Sequence, residues 1–202
     1  MKIICIGRNY SEHAKELKNE VPASPVFFMK PDTALLKDNA PFYYPTFSNE
    51  IHYEVELVIK ISKNGKTIAP QFAHKYYEQI TVGIDFTARD LQQQCKEKGL
   101  PWEKAKAFDN SAVIGRFIQI SELKNTEHIN FNLAINNNMV QQGISNQMIF
   151  NIDTIISYVS GFITLKTGDL IYTGTPAGVG PVKIGDRLIA KIEAEELLNF
   201  EI

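Results

Sequence analysis

The run Ile51-His-Tyr-Glu-Val-Glu-Leu-Val-Ile-Lys-Ile constrains the fold most. Ile51, Tyr53, Val55, Leu57, Ile59 and Ile61 recur at every second position. That is the period of a strand, whose successive side chains point to opposite faces. A six-residue apolar stripe needs a second apolar layer to cover it. Further short runs rich in Val, Ile, Phe and Tyr predict strands at Lys2–Ile6, Val26–Met29, Ile80–Phe86, Val113–Ile120, Ile129–Ile135, Asp169–Thr173 and Arg187–Ile192. Helical signals are fewer. Ser11–Lys18 reads as a short polar helix, Ala88–Lys98 as a helix with Thr87 at its N-cap and Gly99 at its stop, and Ile152–Val159 as a third. Asn136–Asn138 reads as a hairpin turn. The phrases Lys166-Thr-Gly-Asp-Leu-Ile and Lys183-Ile-Gly-Asp-Arg-Leu read as two strand-entry turns in which glycine takes an unusual backbone angle. Strands do not alternate regularly with long helices, which disfavours a doubly wound sheet. The fold expected is mainly β with peripheral helices (α+β), one domain over residues 1–202.

Composition narrows the partners. The 202 residues carry a formal net charge of −2 and 44% apolar residues. That balance argues against nucleic acid or a basic membrane-binding face. No segment approaches the ~20 apolar residues of a bilayer span. The start, MKIICIGRNYSEH, has a four-residue apolar run and no small-residue cleavage site, so no signal peptide and a cytoplasmic location are expected. Cys5 and Cys95 alone make neither a disulfide framework nor a cysteine zinc site.

The face of the 51–61 run opposite the apolar stripe carries His52, Glu54 and Glu56. Glutamates two apart on a strand lie ~7 Å apart, so both reach one point between them. One reading is a solvated strand face, the ordinary place for glutamate. The other is a divalent cation that relieves the repulsion of two desolvated carboxylates, with oxygen ligands suited to magnesium, manganese or calcium. Asp85 supplies a third carboxylate at the end of Thr81-Val-Gly-Ile-Asp, where a strand delivers a side chain to a sheet edge. It either caps the following helix or joins the other two. Arg89 and Gln92, at i and i+3, share a face of that helix.

Six ordered segments then carry a resemblance: Gly7-Arg-Asn-Tyr-Ser-Glu-His, Phe28-Met-Lys-Pro, His52-Tyr-Glu-Val-Glu-Leu, Asp85-Phe-Thr-Ala-Arg-Asp-Leu-Gln, Gly99-Leu-Pro-Trp-Glu-Lys-Ala-Lys-Ala-Phe-Asp and Thr173-Gly-Thr-Pro-Ala-Gly-Val-Gly-Pro. From about Ile3 to Ile192 the chain resembles the fumarylacetoacetate hydrolase family, most closely its short acylpyruvate hydrolase and oxaloacetate decarboxylase branch. The resemblance implies a mixed β-roll or sandwich of the family's C-terminal domain type, a homodimer, and one Mg2+ or Mn2+ per chain. It puts Glu54, Glu56 and Asp85 in the places of the metal ligands. Arg89, Gln92 and Thr175 fall in substrate-binding places, with Arg8 a weaker candidate. Lys106 takes the place of the catalytic lysine, and His13 with Glu16 that of a His/Glu pair on a short lid helix near residues 10–20.

The reaction implied first is metal-assisted hydrolysis of a C–C bond in a 3-acylpyruvate. Glu16 would orient His13 to deprotonate water, and Lys106 would meet a developing oxyanion. Oxaloacetate decarboxylation, which needs no base, and isomerisation or decarboxylation of 2-hydroxydienoates are the alternatives. A non-catalytic binding domain would instead leave the carboxylates dispersed. His52 is expected beside the metal ligands rather than among them. Thr173–Gly180 is glycine-rich but lacks the Lys-Ser/Thr of a phosphate-binding loop, so no nucleotide is expected.

Overall fold

The computed structural model describes residues 1–17 and 20–202. Among them, eight strands form one curled sheet in the order Val26–Lys30, Ile3–Gly7, Leu170–Tyr172, Val55–Ile61, Tyr77–Asp85, Ala112–Ile114 and Leu35–Leu36, with Ile118–Gln119 also paired to Tyr77–Asp85. The sheet is mixed. Ile3–Gly7 runs parallel to Leu170–Tyr172, and Leu35–Leu36 parallel to Ala112–Ile114, while the other pairs are antiparallel. A second, antiparallel sheet has the order Asn138–Ile144, Asn130–Ile135, Arg187–Ile192, Glu195–Glu201. A small third sheet joins Gly180–Pro181, Ile51–Tyr53 and Thr87–Ala88.

The alternation in the sequence explains how these layers meet. Ile4, Ile6, Val55, Leu57 and Ile59 face one way and pack with Phe131, Leu133, Leu188, Ala190 and Leu198 of the second sheet. Ile3, Cys5 and Val58 face the other way, into a smaller core with Ile114, Leu170 and Tyr172. Both faces of the central strands are therefore buried. Full burial of each Val, Leu or Ile contributes about 1.5–3 kcal/mol, so this double-sided packing holds the central strands as the rigid floor of the molecule.

The expected strand Ile51–Ile61 is two strands. Ile51–Tyr53 belongs to the small sheet and Val55–Ile61 to the large one. Glu54 sits at the crossing, where its carbonyl accepts from Asp85 N at 2.9 Å. Alternation persists through the break because neither half changes register face. The segment expected as one strand at Val113–Ile120 is likewise split, into Ala112–Ile114 and Ile118–Gln119.

Helices are Ser11–Glu16, Arg89–Lys98, the single turn Glu103–Lys106, and Ile152–Phe162. The first was expected to reach Lys18, which lies outside the described residues. None of the described helices is long and apolar enough to cross a membrane. Thr87 does not cap the second helix. Ala88 occupies the N-cap without a side-chain bond, because the Thr87 hydroxyl is spent on Glu54. Asn151 caps the last helix, accepting from Thr154 N at 2.9 Å.

The turns follow the local chemistry. Asn136 and Asn137 both have positive φ, 50° and 66°, as a two-residue hairpin turn of the right twist demands. The two Gly-Asp phrases make the same turn twice. Gly168 and Gly185 have φ of 88° and 91°, and Asp169 and Asp186 accept from Lys166 N and Lys183 N at 2.8 and 2.7 Å.

Candidate metal centre

The end of the Tyr77–Asp85 strand lies beside the Glu54 crossing because the two strands pair in register through Val55 and Ile84. Three carboxylates thereby converge. Glu54, Glu56 and Asp85 each present an oxygen within 4.8 Å of the others, and all three are buried. Neither the solvated face nor the helix cap describes them: Asp85 makes no cap bond, and its Oδ2 accepts from Lys106 Nζ at 2.8 Å.

Cations balance this charge. Lys106 Nζ bridges Asp85 and Glu54 Oε2, the latter at 2.9 Å. Arg89 Nη2 donates to Glu54 Oε1 at 2.6 Å and Nη1 to Gln92 Oε1 at 2.7 Å, so the arginine and amide expected on one helix face are joined. Thr87 Oγ1 also donates to Glu54 Oε1, at 3.0 Å. Glu56 accepts from Gly174 N at 2.7 Å. Gly174 has φ of 102°, and a Cβ there would lie 2.7 Å from the Asn9 Cβ, so only glycine brings this N–H to the carboxylate.

Lys30, which sequence reasoning did not single out as a site residue, lies behind Asp85. Its side chain is fully buried and its Nζ is 2.7 Å from Asp85 Oδ1. The same ammonium lies 2.9 and 3.0 Å from Ser111 O and Oγ and 3.4 Å from Phe86 O. Lys30 is therefore the buried cation paired with Asp85 Oδ1, as Lys106 is with Oδ2. A lone lysine ending the apolar strand Val26–Lys30 was the available signal.

The surroundings separate the two glutamates. Burial alone would raise the Glu54 carboxyl, but Lys106, then Arg89 and His13, hold it well below the usual carboxylate range. Glu56 is raised well above that range by burial and by the charges of Asp85 and Glu54, which the Gly174 N–H only partly offsets. Burial would lower the Lys106 ammonium, yet Asp85 and Glu54 raise it, so it stays a cation. The sequence pictured Lys106 among alanines and a phenylalanine. It has Phe28 under it, Nζ 5.4 Å from the ring centroid, but two carboxylates set its state.

The lid helix closes one side. His13 is buried, with Nδ1 3.1 Å from Glu16 Oε2. Glu16 in turn accepts from Gly178 N at 3.1 and 3.3 Å, which latches the helix to the Thr173–Gly180 loop. Arg8 has φ of 60°, an uncommon angle for a residue with a Cβ. It is held by its neighbour Asn9, whose amide donates to Phe150 O and Thr173 O at 2.9 and 2.7 Å and accepts from Phe150 N at 2.8 Å. Arg8, His13, Glu54, Glu56, Asp85, Arg89, Gln92, Lys106 and Thr175 line one cavity of about 40 Å³, joined by Lys96, Phe28 and Trp102. Glu16 stands behind His13 rather than on the wall. His52 also stays off it: it is half-buried on the small sheet, and burial, followed by Arg89, lowers its imidazole.

Arg89 Nε is a buried donor beside the cavity without a hydrogen-bond partner among the described residues, and an anion is its chemical complement. The three convergent carboxylates are hard oxygen donors, the set that fits Mg2+ or Mn2+.

The family model described as fumarylacetoacetate (FAA) hydrolase C-terminal matches residues 2–200. The chain belongs to the fumarylacetoacetate hydrolase family. Within it, the chain is 40% identical over 200 residues to the oxaloacetate tautomerase FAHD1, mitochondrial, of Mus musculus, covering 99% of this chain and 90% of that one. It is 44% identical over 185 residues to the oxaloacetate decarboxylase, mitochondrial, of Dictyostelium discoideum, covering 91% and 85%. The crystal structure of fumarylpyruvate hydrolase from Pseudomonas aeruginosa in complex with Mn2+ and pyruvate superposes with a TM-score of 0.93 at 36% identity, covering 100% and 88%. The mixed β architecture expected of the family is the one observed.

Proposed function

We propose that this fumarylacetoacetate hydrolase family member interconverts the enol and keto forms of a small 2-oxo acid, with oxaloacetate the foremost candidate. The carrying observation is the buried His13, tied through Nδ1 to Glu16 and lining the same cavity as the three carboxylates. Support comes from relatives named for oxaloacetate tautomerisation and decarboxylation, and from a similar structure holding Mn2+ and pyruvate.

A divalent ion held by Glu54, Glu56 and Asp85, Mg2+ or Mn2+ and one per chain, supplies Lewis acidity toward the oxygens of such an acid. The chain's own groups do the rest. Arg89, Gln92 and Arg8 bind carboxylate oxygens. Thr175 donates its hydroxyl to the same end. Lys106, fixed as a cation with two hydrogens engaged, offers the third to the negative charge that develops on the oxo oxygen. His13 takes the proton from the carbon beside the oxo group and the oxo oxygen gains one, giving the enol; the reverse transfers give back the ketone, while Glu16 holds the ring and stabilises its protonated form.

The hydrolysis of 3-acylpyruvates expected from the sequence is the second reading, favoured by the same imidazole, which would then deprotonate a water. Decarboxylation of oxaloacetate needs no base. Enol loss from oxaloacetate, CO2 release and acetylpyruvate cleavage, compared in the metal-loaded protein and in His13→Ala, separate the three. Tautomerisation should be fastest and fall about 10²–10⁴-fold in the variant, with metal affinity unchanged. Faster acetylpyruvate cleavage would replace the first reading by the second, and turnover by neither would refute both. The match over 2–200 supports one catalytic domain across 1–202. We extend the proposal to a cytoplasmic homodimer, read by fractionation and light scattering.

A further inference from the structure

A side chain of the second sheet reaches the centre. Gln141, on strand Asn138–Ile144, is 2% exposed. Its Oε1 accepts from Val55 N at 2.9 Å, the residue between Glu54 and Glu56. Its Nε2 donates to Thr175 Oγ1 and Pro176 O, each at 2.9 Å. The partners fix the amide's orientation. Val55 N–H can only donate and the Pro176 carbonyl only accept, so a flipped amide would oppose donor to donor and acceptor to acceptor. Thr175 Oγ1 is thereby made an acceptor from Gln141, and its own hydrogen is left for the cavity that Thr175 lines.

We propose that Gln141 is a positioning residue that holds the Thr175 hydroxyl as a donor toward the oxo acid and pins the backbone between two of the carboxylates. The inference rests on the reading above, in which Thr175 touches the substrate. Pairing the Val55 N–H and the Pro176 carbonyl would by itself justify an amide here; the bond to Thr175 is the one that bears on the cavity, and the test is built on it.

Gln141→Glu tests it. The carboxylate keeps the bond to Val55 but turns the Thr175 hydroxyl toward itself and away from the cavity. Calorimetry would measure Mn2+ binding, then oxalate binding to the Mn2+-loaded protein, in wild type, Gln141→Glu, Thr175→Val and the double variant. Thr175→Val should weaken oxalate about tenfold, the worth of a hydrogen bond to a charged group, with Mn2+ affinity within about threefold. Gln141→Glu should do the same, and in turnover should raise KM more than it lowers kcat. Its added charge repels oxalate in either background, so coupling is the decisive readout: in Thr175→Val, the effect of Gln141→Glu should shrink by about fivefold or more. If the glutamate variant does not fold, Gln141→Met serves: its release of the Val55 N–H acts in either background, while the part that runs through the hydroxyl, about threefold, should disappear in Thr175→Val. Losses that multiply independently, or wild-type oxalate binding in Gln141→Glu or Thr175→Val, would overturn the proposal. A wild type that binds neither Mn2+ nor oxalate would overturn the function reading, and this one with it.

Discussion

Glu54 and Glu56 share a strand face, yet their neighbours drive their ionisation in opposite directions. Glu54 has three hydrogen-bond donors, two of them cationic, while Glu56 has a single backbone N–H and two carboxylates for company. Glu56 therefore holds a proton above the usual carboxylate range, and a metal ion must displace it. Metal affinity should rise with pH by up to about tenfold per unit until Glu56 ionises, with about one proton released per ion. Calorimetry from pH 5 to 8 in buffers of different ionisation enthalpy reads both quantities. Affinity independent of pH across that range would mean that Glu56 is already ionised. Without metal the sign reverses. The native state binds the extra proton, so Glu56's contribution to stability declines as pH rises from the ordinary carboxylate range through its raised value. Glu54 contributes stability that is present above that range and lost only as pH falls below it. The three carboxylates were legible in the sequence because period two placed two of them together and a strand end delivered the third. Lys30 and Gln141 were not, since each reaches the centre from a strand whose pairing no local pattern specifies.

Elements meet the site at their ends, and there the local rules yield to it. Thr87 stands where an N-cap belongs but gives its hydroxyl to Glu54, leaving the Arg89–Lys98 helix uncapped by a side chain. Asn151, with no such competing partner, caps the Ile152–Phe162 helix. Substitutions at the two positions should therefore part company. Asn151→Ala should cost about 1 kcal/mol, seen as a lower urea midpoint at constant slope, with Mn2+ affinity intact. Thr87→Val should also lower the urea midpoint, through loss of a buried hydrogen bond to a carboxylate, but unlike Asn151→Ala it should weaken Mn2+ binding as well, by roughly tenfold for a group that orients a ligand. Element boundaries were misread for the same reason. The strand from Ile51 breaks at Glu54 because its two halves serve different sheets, and sequence alternation continues undisturbed across such a break. The one-turn helix Glu103–Lys106 is too short to show a period. The strand Glu195–Glu201 alternates too weakly to stand out, and its pairing with Arg187–Ile192 holds it.

Over the whole molecule, the mainly β architecture was legible because apolar period-two runs recur along most of the chain, whereas the order of the strands was not. Ile3–Gly7 lies next to Leu170–Tyr172, a neighbour far along the sequence that only the folded layers select. The same long-range order makes the centre a brace. Its carboxylates come from the Glu54 crossing, the strand Val55–Ile61 and the end of Tyr77–Asp85, and the Gly174 loop is tied to one of them. An ion that binds only this folded arrangement should stabilise it by about 2.7 kcal/mol at a concentration one hundred times its Kd. For a chain of this length that is a rise in Tm of roughly 5–10 °C, reversed by a chelator. Differential scanning calorimetry with and without Mn2+ measures it, and an unchanged Tm would argue against a structural link between ion and fold. The most direct measurement is anomalous scattering from crystals soaked in Mn2+. One strong peak per chain is expected, in contact with oxygens of Glu54, Glu56 and Asp85. A peak elsewhere, or none, would contradict a metal centre there.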